Sequence, residues 1–533
     1  MAERAAFDAL AREFFSVWFR YRPEAALAAA VGDYGSLPAP QSDDDHAALG
    51  SWLETLVVAL EELNHDALDP ARRLDAELLF ALAVVEHREL LERDWRHRDP
   101  LRYLPLTEIH RLTLLCPLSL RGDLLGLLTA IPAHLRLAMT QLTPMAELIP
   151  PPLVAAAVEA AEVGPGYLRA LARSRWLRTQ CHGSGQIEDA AEAAATALRQ
   201  YASGLRSVIA PRAAGACGCG AEHLRFLLRR RHQLTLAPAD CAPLLERLAR
   251  QLNATAGAEQ ALPGTAPTSG DGIGAECARQ EALLRAAELF TLPVAPLRVA
   301  GGPACPRLGA ATDQAMRPLD ARELGLDYVP DLTRGRGILY IADGTTAAAA
   351  RGPLSQPGRC LELGWGGLHT LTFAGGMAAR SLPRLLAGGT SLTQGWPLSL
   401  AAYVWPEQPE LVEAVRRTAV AHARLDLDLH LGRVGLADAR ARAAALGNAD
   451  QVLAALIRNP GDALAAVLGW QLIDAGRRQL TAGDSGPVAL RKLHDGLLGQ
   501  GPVPASVALA GMLGDAAVSA LLNNLITSAD ATV

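Results

Sequence analysis

Apolar residues recur every three to four positions along most of this chain, and this helical spacing restricts its fold more than any other feature. Three strongly amphipathic segments open the sequence, at Ala2–Phe19, Ser42–Leu63 and Pro70–Arg93. The later segments with the same spacing are Asp123–Gln141, Pro151–Arg173, Glu188–Ser207, Ala221–Arg230, Pro238–Leu252, Gly274–Leu289, Glu410–Leu431, Leu436–Leu446 and Gly461–Leu480. The C-terminal tail, Ser506–Thr527, is rich in alanine and leucine, and we expect it to pack against the body of the protein. Because a helix must bury its apolar stripe against other helices, the pattern predicts a mainly α-helical protein.

The helical pattern is interrupted after Phe290, where proline and glycine become frequent. Two short segments in this region favour β-strands, Leu297–Val299 and Ile338–Ala342. Both precede an apolar helical segment, so we predict a small sheet beside a cleft.

The segment Thr255–Gly272 has low complexity and is rich in alanine, glycine and small polar residues, which is typical of a linker. It predicts an N-terminal helical region over residues 1–270 and a second region over residues 271–533. The alternative is one continuous helical domain around a groove.

The composition excludes nucleic acids as partners of this protein. Half of the 533 residues are apolar, a fifth are charged and the net charge is −6, with acids and bases interspersed. No basic face of the kind that nucleic-acid binding requires is present in this pattern. The densest basic run, Arg229–His232, ends a predicted helix, where the helix dipole favours cations, and we interpret it as a helix cap.

The N-terminal sequence MAERAAFDALAREFF carries charges throughout and lacks the apolar core of a secretion signal. The alanine-rich stretch Ala25–Val31 is too short to cross a bilayer. We therefore predict a cytoplasmic protein without a membrane partner, whose eight cysteines are reduced.

Only two cysteines are close in sequence, Cys217 and Cys219, and His223 follows them. This Cys-x-Cys-x-x-x-His run could supply metal ligands, but structural zinc sites need four ligands at other spacings. We favour small residues in a loop that leads into a helix. Neither a nucleophilic serine motif nor a phosphate-binding loop is found elsewhere in the sequence.

A succession of segments in the second half is more specific than any single motif. In chain order these segments are FTLPVAPLRV, GRGILYIADGTT, ELGWGGLHTLTFAGGMAAR, SLTQGWPLSLAAY, ARLDLDLHLGR and IRNPGDALAAVLGWQLI. The succession resembles a bacterial family of zincin-like proteins, predicted metallopeptidases, that is catalogued as domain of unknown function 885. The resemblance covers nearly the whole chain. It implies a mainly α-helical fold of the zincin-like, neurolysin type, with a long groove and a small β-sheet.

The family carries a His-Glu-x-x-Pro-Gly-His-His motif, because catalytic zinc needs three protein ligands and a glutamate that takes a proton from the bound water. In this chain His369 stands at the first histidine of the motif. Thr370 replaces the glutamate, and a hydroxyl cannot act as the base. Gly375 and Gly376 replace the two later histidines, so neither position can bind a metal.

Two further family elements are also altered. Gln394 replaces the glutamate of a Glu-Gly-Trp element, and a neutral amide binds zinc more weakly than a carboxylate. In the Pro-Gly-Gln-Ala-x-x-Tyr element, Asp462 replaces the glutamine and Ala466 replaces the tyrosine. The catalytic positions Thr370, Gln394 and Ala466 are therefore degenerate.

The polar and aromatic residues that remain are candidates for binding. They are His369, Trp396, Asp426, His430 and Arg458. Asp426 and His430 are four residues apart, so they share a helical face and can hydrogen-bond. With His422 one turn earlier, this face is either an improvised metal site or an ordinary polar stripe, which we favour. Arg458 could bind a carboxylate or a loop of the protein itself.

These observations predict a pseudoenzyme that has lost its zinc site and kept a groove for a peptide, a protein or a small carboxylate. No cofactor is expected, and His369 is the one metal-ligand position that is retained. The alternative is an active hydrolase of the same family, with zinc at a relocated site or with a metal-independent mechanism.

Overall fold

The structure is a computed structural model that describes residues 2–181, 185–254, 270–300, 326–341, 356–376, 381–386, 389–481 and 486–527. Helices dominate these residues and the sheet is small, so the prediction of a mainly α-helical protein is confirmed. The chain forms two compact units. The first contains residues 1–217, 298–345 and 450–455, and the second contains residues 218–297, 346–449 and 456–533.

Residue 270, where the sequence predicts a boundary, lies inside the 218–297 segment of the second unit. Most of the predicted linker, residues 255–269, lies outside the described residues, and residues 270–272 begin a helix. The division at residue 270 stays a prediction.

The helices of the first unit follow the predicted segments. They are α1 (Ala2–Tyr21), α2 (Pro23–Ala28), α3 (Asp43–Glu61), α4 (Pro70–Glu92), α5 (Leu106–Leu115), α6 (Leu120–Leu142), α7 (Pro151–Arg173), α8 (Arg175–Gln180) and α9 (Gly185–Gly204), and a π-helical turn at Leu205–Ile209 extends the last one. Helix α3 begins where Ser42 and Asp45 form a reciprocal capping box. Helix α9 packs against α6 and α7 and buries its alanine-rich face there.

A sheet of three strands accompanies these helices. The strands are β1 (Leu297–Ala300), β2 (Leu326–Asp331) and β3 (Arg336–Ile341), in the order β1-β3-β2. Strands β1 and β3 are the two predicted ones, and residue 342 of the second prediction lies outside the described residues. Strand β2 was not predicted, because Pro330 disfavours a strand, but β2 lies at the edge of this sheet, where proline is tolerated.

The second unit contains the remaining helices. They are α10 (Ala221–Arg230), α11 (Cys241–Ala254), α12 (Gly270–Ala287), α13 (Gln356–Leu363), α14 (Leu368–Phe373), α15 (Leu382–Leu386), α16 (Thr390–Thr393), α17 (Gly395–Val404), α18 (Pro409–His430), α19 (Leu436–Ala444), α20 (Ala449–Arg458, which passes through the first unit at 450–455), α21 (Asp462–Leu480), α22 (Pro487–Gly499), α23 (Ala505–Leu513) and α24 (Asp515–Thr527). The C-terminal tail, Ser506–Thr527, lies in α23 and α24, which are separated at Gly514, whose φ of 81° favours glycine.

Helix α21 is the centre of the second unit. It packs against α16, α17, α18 and α23, and thirteen of its nineteen residues are buried. Two glycines allow the closest approaches: a Cβ on Gly469 would lie 1.8 Å from the carbonyl oxygen of Ser391, and one on Gly395 would lie 2.6 Å from the amide nitrogen of Trp470. Backbone atoms at such distances cannot yield, so glycine is required at both positions.

Within the described residues, no single helix combines the length and hydropathy that a membrane span would need. Helices α20 and α21 meet the criterion only when taken together, and they are bent by 75° at the break between them.

Candidate functional site

The degenerate motif lies on the short helix α14, where His369 is completely buried. Its Nε2 lies 3.0 Å from the carbonyl oxygen of Ala295, which accepts the ring N–H. The imidazole also packs edge-on against Trp365, with ring centroids 4.8 Å apart, and against Phe373 at 5.2 Å. Burial lowers the pKa of His369 to about 4, and the hydrogen bond to Ala295 opposes this shift only in part. His369 is therefore a neutral, packed histidine.

Thr370, the next residue of the motif, is also hydrogen-bonded within the protein. The hydroxyl of Thr370 is buried and donates to the carbonyl oxygen of Trp365 at 2.6 Å. Helix α14 ends before the two glycines that replace the later histidines, and Gly376 has a φ of 68°. His369 and Thr370 are thus both hydrogen-bonded to backbone carbonyl groups.

Trp396 lies at the start of α17 and is fully buried. Its indole N–H donates to Nδ1 of His494 at 3.1 Å, and its ring packs edge-on against Phe290 with centroids 5.0 Å apart. Burial, reinforced by the charge of Arg477, lowers the pKa of His494 to about 4, so the imidazole that receives this hydrogen bond is neutral. Trp396 therefore anchors the helix rather than lining a surface.

The other two degenerate positions, Gln394 and Ala466, lie at a helix junction and inside a packed helix. Gln394 is the residue on which α16 ends and α17 begins. Ala466 is buried in α21, and its carbonyl oxygen lies 2.9 Å from the position of a Cβ on Gly395. A tyrosine side chain at position 466 would have to displace this packing.

Asp426 and His430 form the polar part of the candidate site. They lie one turn apart on α18, as predicted, with His430 Nε2 3.3 Å from Asp426 Oδ1 and both side chains fully buried. The carboxylate also accepts the amide N–H groups of Gly461 and Leu464, each at 3.1 Å. Asp426 thereby caps the first turn of α21, where the helix dipole favours a negative charge.

Both nitrogens of the His430 ring have backbone partners. Nδ1 accepts the amide N–H of Cys219 at 3.1 Å, so the ring hydrogen belongs to Nε2, which lies 3.0 Å from the carbonyl oxygen of Leu456. His422 does not join them, because its Nδ1 bonds to the carbonyl oxygen of Thr418 on its own helix. No three ligand-type side chains in the described part of the chain are arranged around a common metal position.

Arg458 is half-buried and is the last residue of α20, directly before the turn that leads into α21. Its role in binding a carboxylate stays a prediction.

Two buried residues, His232 and Asp462, lie beside this turn. The sequence did not predict that they form a pair. His232 Nε2 lies 3.4 Å from Asp462 Oδ1, and Arg231 Nη2 lies 3.6 Å from the same oxygen. Burial raises the pKa of Asp462 to about 6, with Arg231 opposing the shift, and burial with the charge of Arg231 lowers the pKa of His232 to about 3. The basic run does end α10 as predicted. Its contact with Asp462 spans more than two hundred residues, so no local pattern indicates it.

The residues present do not fit the zinc site of the resembling family. His369 bonds to a backbone carbonyl, Thr370 donates to another, and Asp426 and His430 are committed to backbone groups. Catalytic zinc requires three side-chain ligands that converge on one open position. These side chains instead hold helices in place.

No protein-family model and no curated protein sequence matches this chain. Solved structures do share its fold. A "putative lipoprotein of unknown function" from Shewanella oneidensis is 15% identical with a TM-score of 0.66, and the match covers 95% of this chain and 99% of that one. A "putative lipoprotein" from Colwellia psychrerythraea is 16% identical with a TM-score of 0.59, covering 99% and 100%. At such low identity the likeness shows the fold alone.

Proposed function

We propose that this protein is a non-catalytic relative of the zincin-like family that its sequence resembles, with the zinc site lost and the fold retained for binding. The observation that carries the proposal is the environment of His369. The one metal-ligand position that remains is buried among aromatic rings and donates its N–H to the carbonyl oxygen of Ala295.

The chemistry of the replaced positions supports the same conclusion. Zinc-dependent hydrolysis needs a carboxylate that accepts the proton of the zinc-bound water and a group that stabilises the oxyanion. Thr370 is neutral and donates to a carbonyl, and Ala466 has no polar atom in its side chain. The glycines that frame the helix packing, Gly395 and Gly469, are present. The positions that build the fold are thus kept, and those that perform the zinc chemistry are not.

For the ligand we propose a peptide, a protein or a small carboxylate. Arg458 is the candidate contact for a carboxylate, since a guanidinium binds one through two parallel hydrogen bonds. The direct check is the shift in melting temperature of the wild type and of Arg458→Gln over a set of small carboxylates and short peptides. A carboxylate that stabilises both proteins equally would contradict the assignment to Arg458.

We also propose that the protein is cytoplasmic. The two solved structures named above are those of putative lipoproteins, and a lipoprotein is attached to a membrane. Cell fractionation with an antibody to this chain is therefore the appropriate check. Recovery in the membrane fraction would contradict this part of the proposal.

The loss of zinc chemistry is tested by measuring metal content after purification in the presence of zinc. We expect less than a tenth of an equivalent of zinc, roughly the level of weak surface binding, because a lone imidazole binds zinc poorly. His369→Ala and His422→Ala serve as a matched pair of buried histidines inside and outside the motif. One tightly bound zinc per chain that His369→Ala abolishes and His422→Ala retains would overturn the proposal.

A further inference from the structure

A small hollow in the first unit is bounded by α3, α4 and the 3₁₀ turns Trp95–His97 and Pro100–Tyr103. Water-sized molecules can be centred within about 20 Å³ of it, which is somewhat more than one water molecule requires. The hollow is partly open to solvent. It therefore admits a molecule of a few atoms from solution and excludes a large ligand.

Two of the three guanidinium groups that line the hollow are balanced by carboxylates. Arg22 donates from Nε to Oε2 of Glu86 at 3.2 Å and from Nη2 to the other oxygen of the same carboxylate. Arg96 donates from Nε and Nη2 to Asp94, at 3.0 and 2.7 Å, and from Nη1 to Asp43 at 2.8 Å. These pairs hold both arginines in the wall and neutralise their charges.

The third guanidinium, that of Arg102, lies against an aromatic ring. Its central carbon is 4.4 Å from the centroid of the Trp95 ring, and such stacking leaves the N–H groups at the edge of the guanidinium free to donate. Nη2 of Arg102 is buried, and no group in the described part of the chain accepts a hydrogen bond from it or forms an ion pair with Arg102. A buried N–H group without an acceptor costs free energy, so this nitrogen favours an anion in the hollow.

Gln41 contributes an unpaired acceptor to the same hollow. The residue is 4% exposed, and its Nε2 donates to the carbonyl oxygen of His134 at 3.1 Å and lies 3.0 Å from Nδ1 of that residue. Burial lowers the pKa of His134 to about 4, so the ring is neutral and Nδ1 can accept the second N–H. Because a carbonyl oxygen only accepts, the side-chain amide cannot be reversed, and its Oε1 has no partner among the described residues. A ligand that satisfies both Arg102 and Gln41 must accept and donate.

The charges around the hollow favour a ligand with a single negative charge. Of the three guanidinium groups described, that of Arg102 is the unbalanced one, and the carboxylate of Glu86 lies in the wall. Burial also lowers the pKa of His46, whose neutral ring lines the hollow. A doubly charged anion would leave one negative charge buried without a partner, which is costly. The ligand thus needs two oxygens for a guanidinium, one hydroxyl hydrogen and few other atoms, and hydrogencarbonate has this composition.

We propose that the hollow is a hydrogencarbonate site, in which Arg102 binds two oxygens of the ion and Gln41 accepts its hydroxyl hydrogen. The guanidinium donates two parallel N–H groups to the planar ion. Trp95 and the fixed Gln41 amide hold both contacts in place before the ion enters, so binding orders few side chains. The site contains neither Arg458 nor a position of the degenerate motif, and its small inorganic ligand goes beyond the proposed function.

A comparison of anions tests the site in the wild-type protein. The melting temperature is measured in mildly alkaline buffer with increasing sodium hydrogencarbonate, nitrate, phosphate or chloride at equal ionic strength, and dissociation constants follow from the shifts. We expect a saturable shift with hydrogencarbonate. Nitrate is planar, singly charged and similar in size but has no hydroxyl, so it should bind about two- to tenfold more weakly. Equal shifts with all four salts, or phosphate as the tightest ligand, would overturn the proposal.

Arg102→Gln removes the charge that holds the ion. Hydrogen bonds to a charged group are strong, so we expect the dissociation constant for hydrogencarbonate to rise at least about tenfold. Arg88→Gln is the matched control and should leave the affinity unchanged, since Arg88 lies on α4 outside the hollow and pairs with Glu92 at 2.8 Å. An unchanged dissociation constant in folded Arg102→Gln protein would refute the site.

A second variant covers the case in which Arg102→Gln does not fold. Arg102→Lys keeps the positive charge but not the two parallel N–H groups, so it should bind hydrogencarbonate more weakly than Arg88→Gln does. Equal affinity in these two variants would refute the role of Arg102.

Gln41→Met removes the unpaired acceptor and keeps an unbranched side chain. We expect this variant to bind hydrogencarbonate and nitrate with equal affinity, because the hydroxyl of the ion no longer has an acceptor. A preference for hydrogencarbonate as large as that of the wild type would refute the role of Gln41. Because these readouts involve neither zinc nor Arg458, their failure is distinguishable from a failure of the metal-content test.

Discussion

Two fully buried imidazoles of the second unit, His369 and His430, lie in contrasting surroundings. His369 is packed between aromatic rings and bonds to one backbone carbonyl. His430 lies between a carboxylate and two backbone groups. Both occupy positions that the sequence marks as candidates for function, but His430 has a buried carboxylate beside it.

The difference shows what burial does to a histidine with and without a charged partner. In an apolar pocket, desolvation disfavours the cation, so the pKa of His369 falls to about 4 and the ring becomes a structural element. At His430 the carboxylate of Asp426 opposes the effect of burial on the pKa, and the backbone partners of both ring nitrogens fix the orientation of the ring. A buried carboxylate is costly unless it is fully bonded, so the network around Asp426 is the more sensitive of the two regions.

The largest effect is expected for Asp426→Ala. This change removes the acceptor of two buried amides and the partner of His430, so we expect a loss of about 3–5 kcal/mol in the free energy of unfolding. Asp428→Ala on the same helix is the control, because Asp428 is partly exposed and pairs with Arg442 at 2.8 Å. It should cost at most about 1 kcal/mol. Equal losses in urea unfolding would show that the buried hydrogen bonds of Asp426 do not make its network especially sensitive.

An intermediate effect is expected from the titration of His369. Its pKa in the folded protein, about 4, lies below the value of about 6.5 for an unfolded histidine. The unfolded state therefore binds more protons between these values, and stability falls as the pH decreases from about 6.5 to about 4. His369→Gln should reduce the stability lost between pH 7 and pH 5 by about 2 kcal/mol. Equal losses in both proteins would show that His369 does not titrate in this way.

The smallest effect is expected for Thr370→Val, which removes the hydroxyl that donates to the Trp365 carbonyl at 2.6 Å. The side chains have nearly the same shape, so we expect a loss of about 1 kcal/mol in thermal or urea unfolding. The zinc content should not change, since Thr370 has no part in metal binding in our proposal. A loss as large as that of Asp426→Ala would mean that the motif helix is equally sensitive.

Much of the helical framework could be predicted from the sequence. The bounds of α7 and α10 were predicted exactly, because Pro151 and Gly220 provide clear start signals and the apolar spacing is regular. The prediction omitted β2, because the pairing of an edge strand depends on neighbouring strands that local spacing does not include.

For the site, the sequence predicted the shared face of Asp426 and His430, because four residues on a helix return to the same side. It treated Cys219 only as a metal ligand or a loop residue. Its position beside His430 depends on a contact between segments more than two hundred residues apart. Gly218 is the local signal that could have pointed to a close backbone approach.

The sequence by itself determined the helical class and the spacing of the polar residues on α18. These follow from periodicity and from residue chemistry, both of which are local. Only the tertiary structure decided that His369 is a packed neutral ring and that His430 lies between Asp426 and the backbone amide of Cys219. Burial and hydrogen-bond partners arise when distant segments meet, and these partners determine the protonation and orientation of an imidazole.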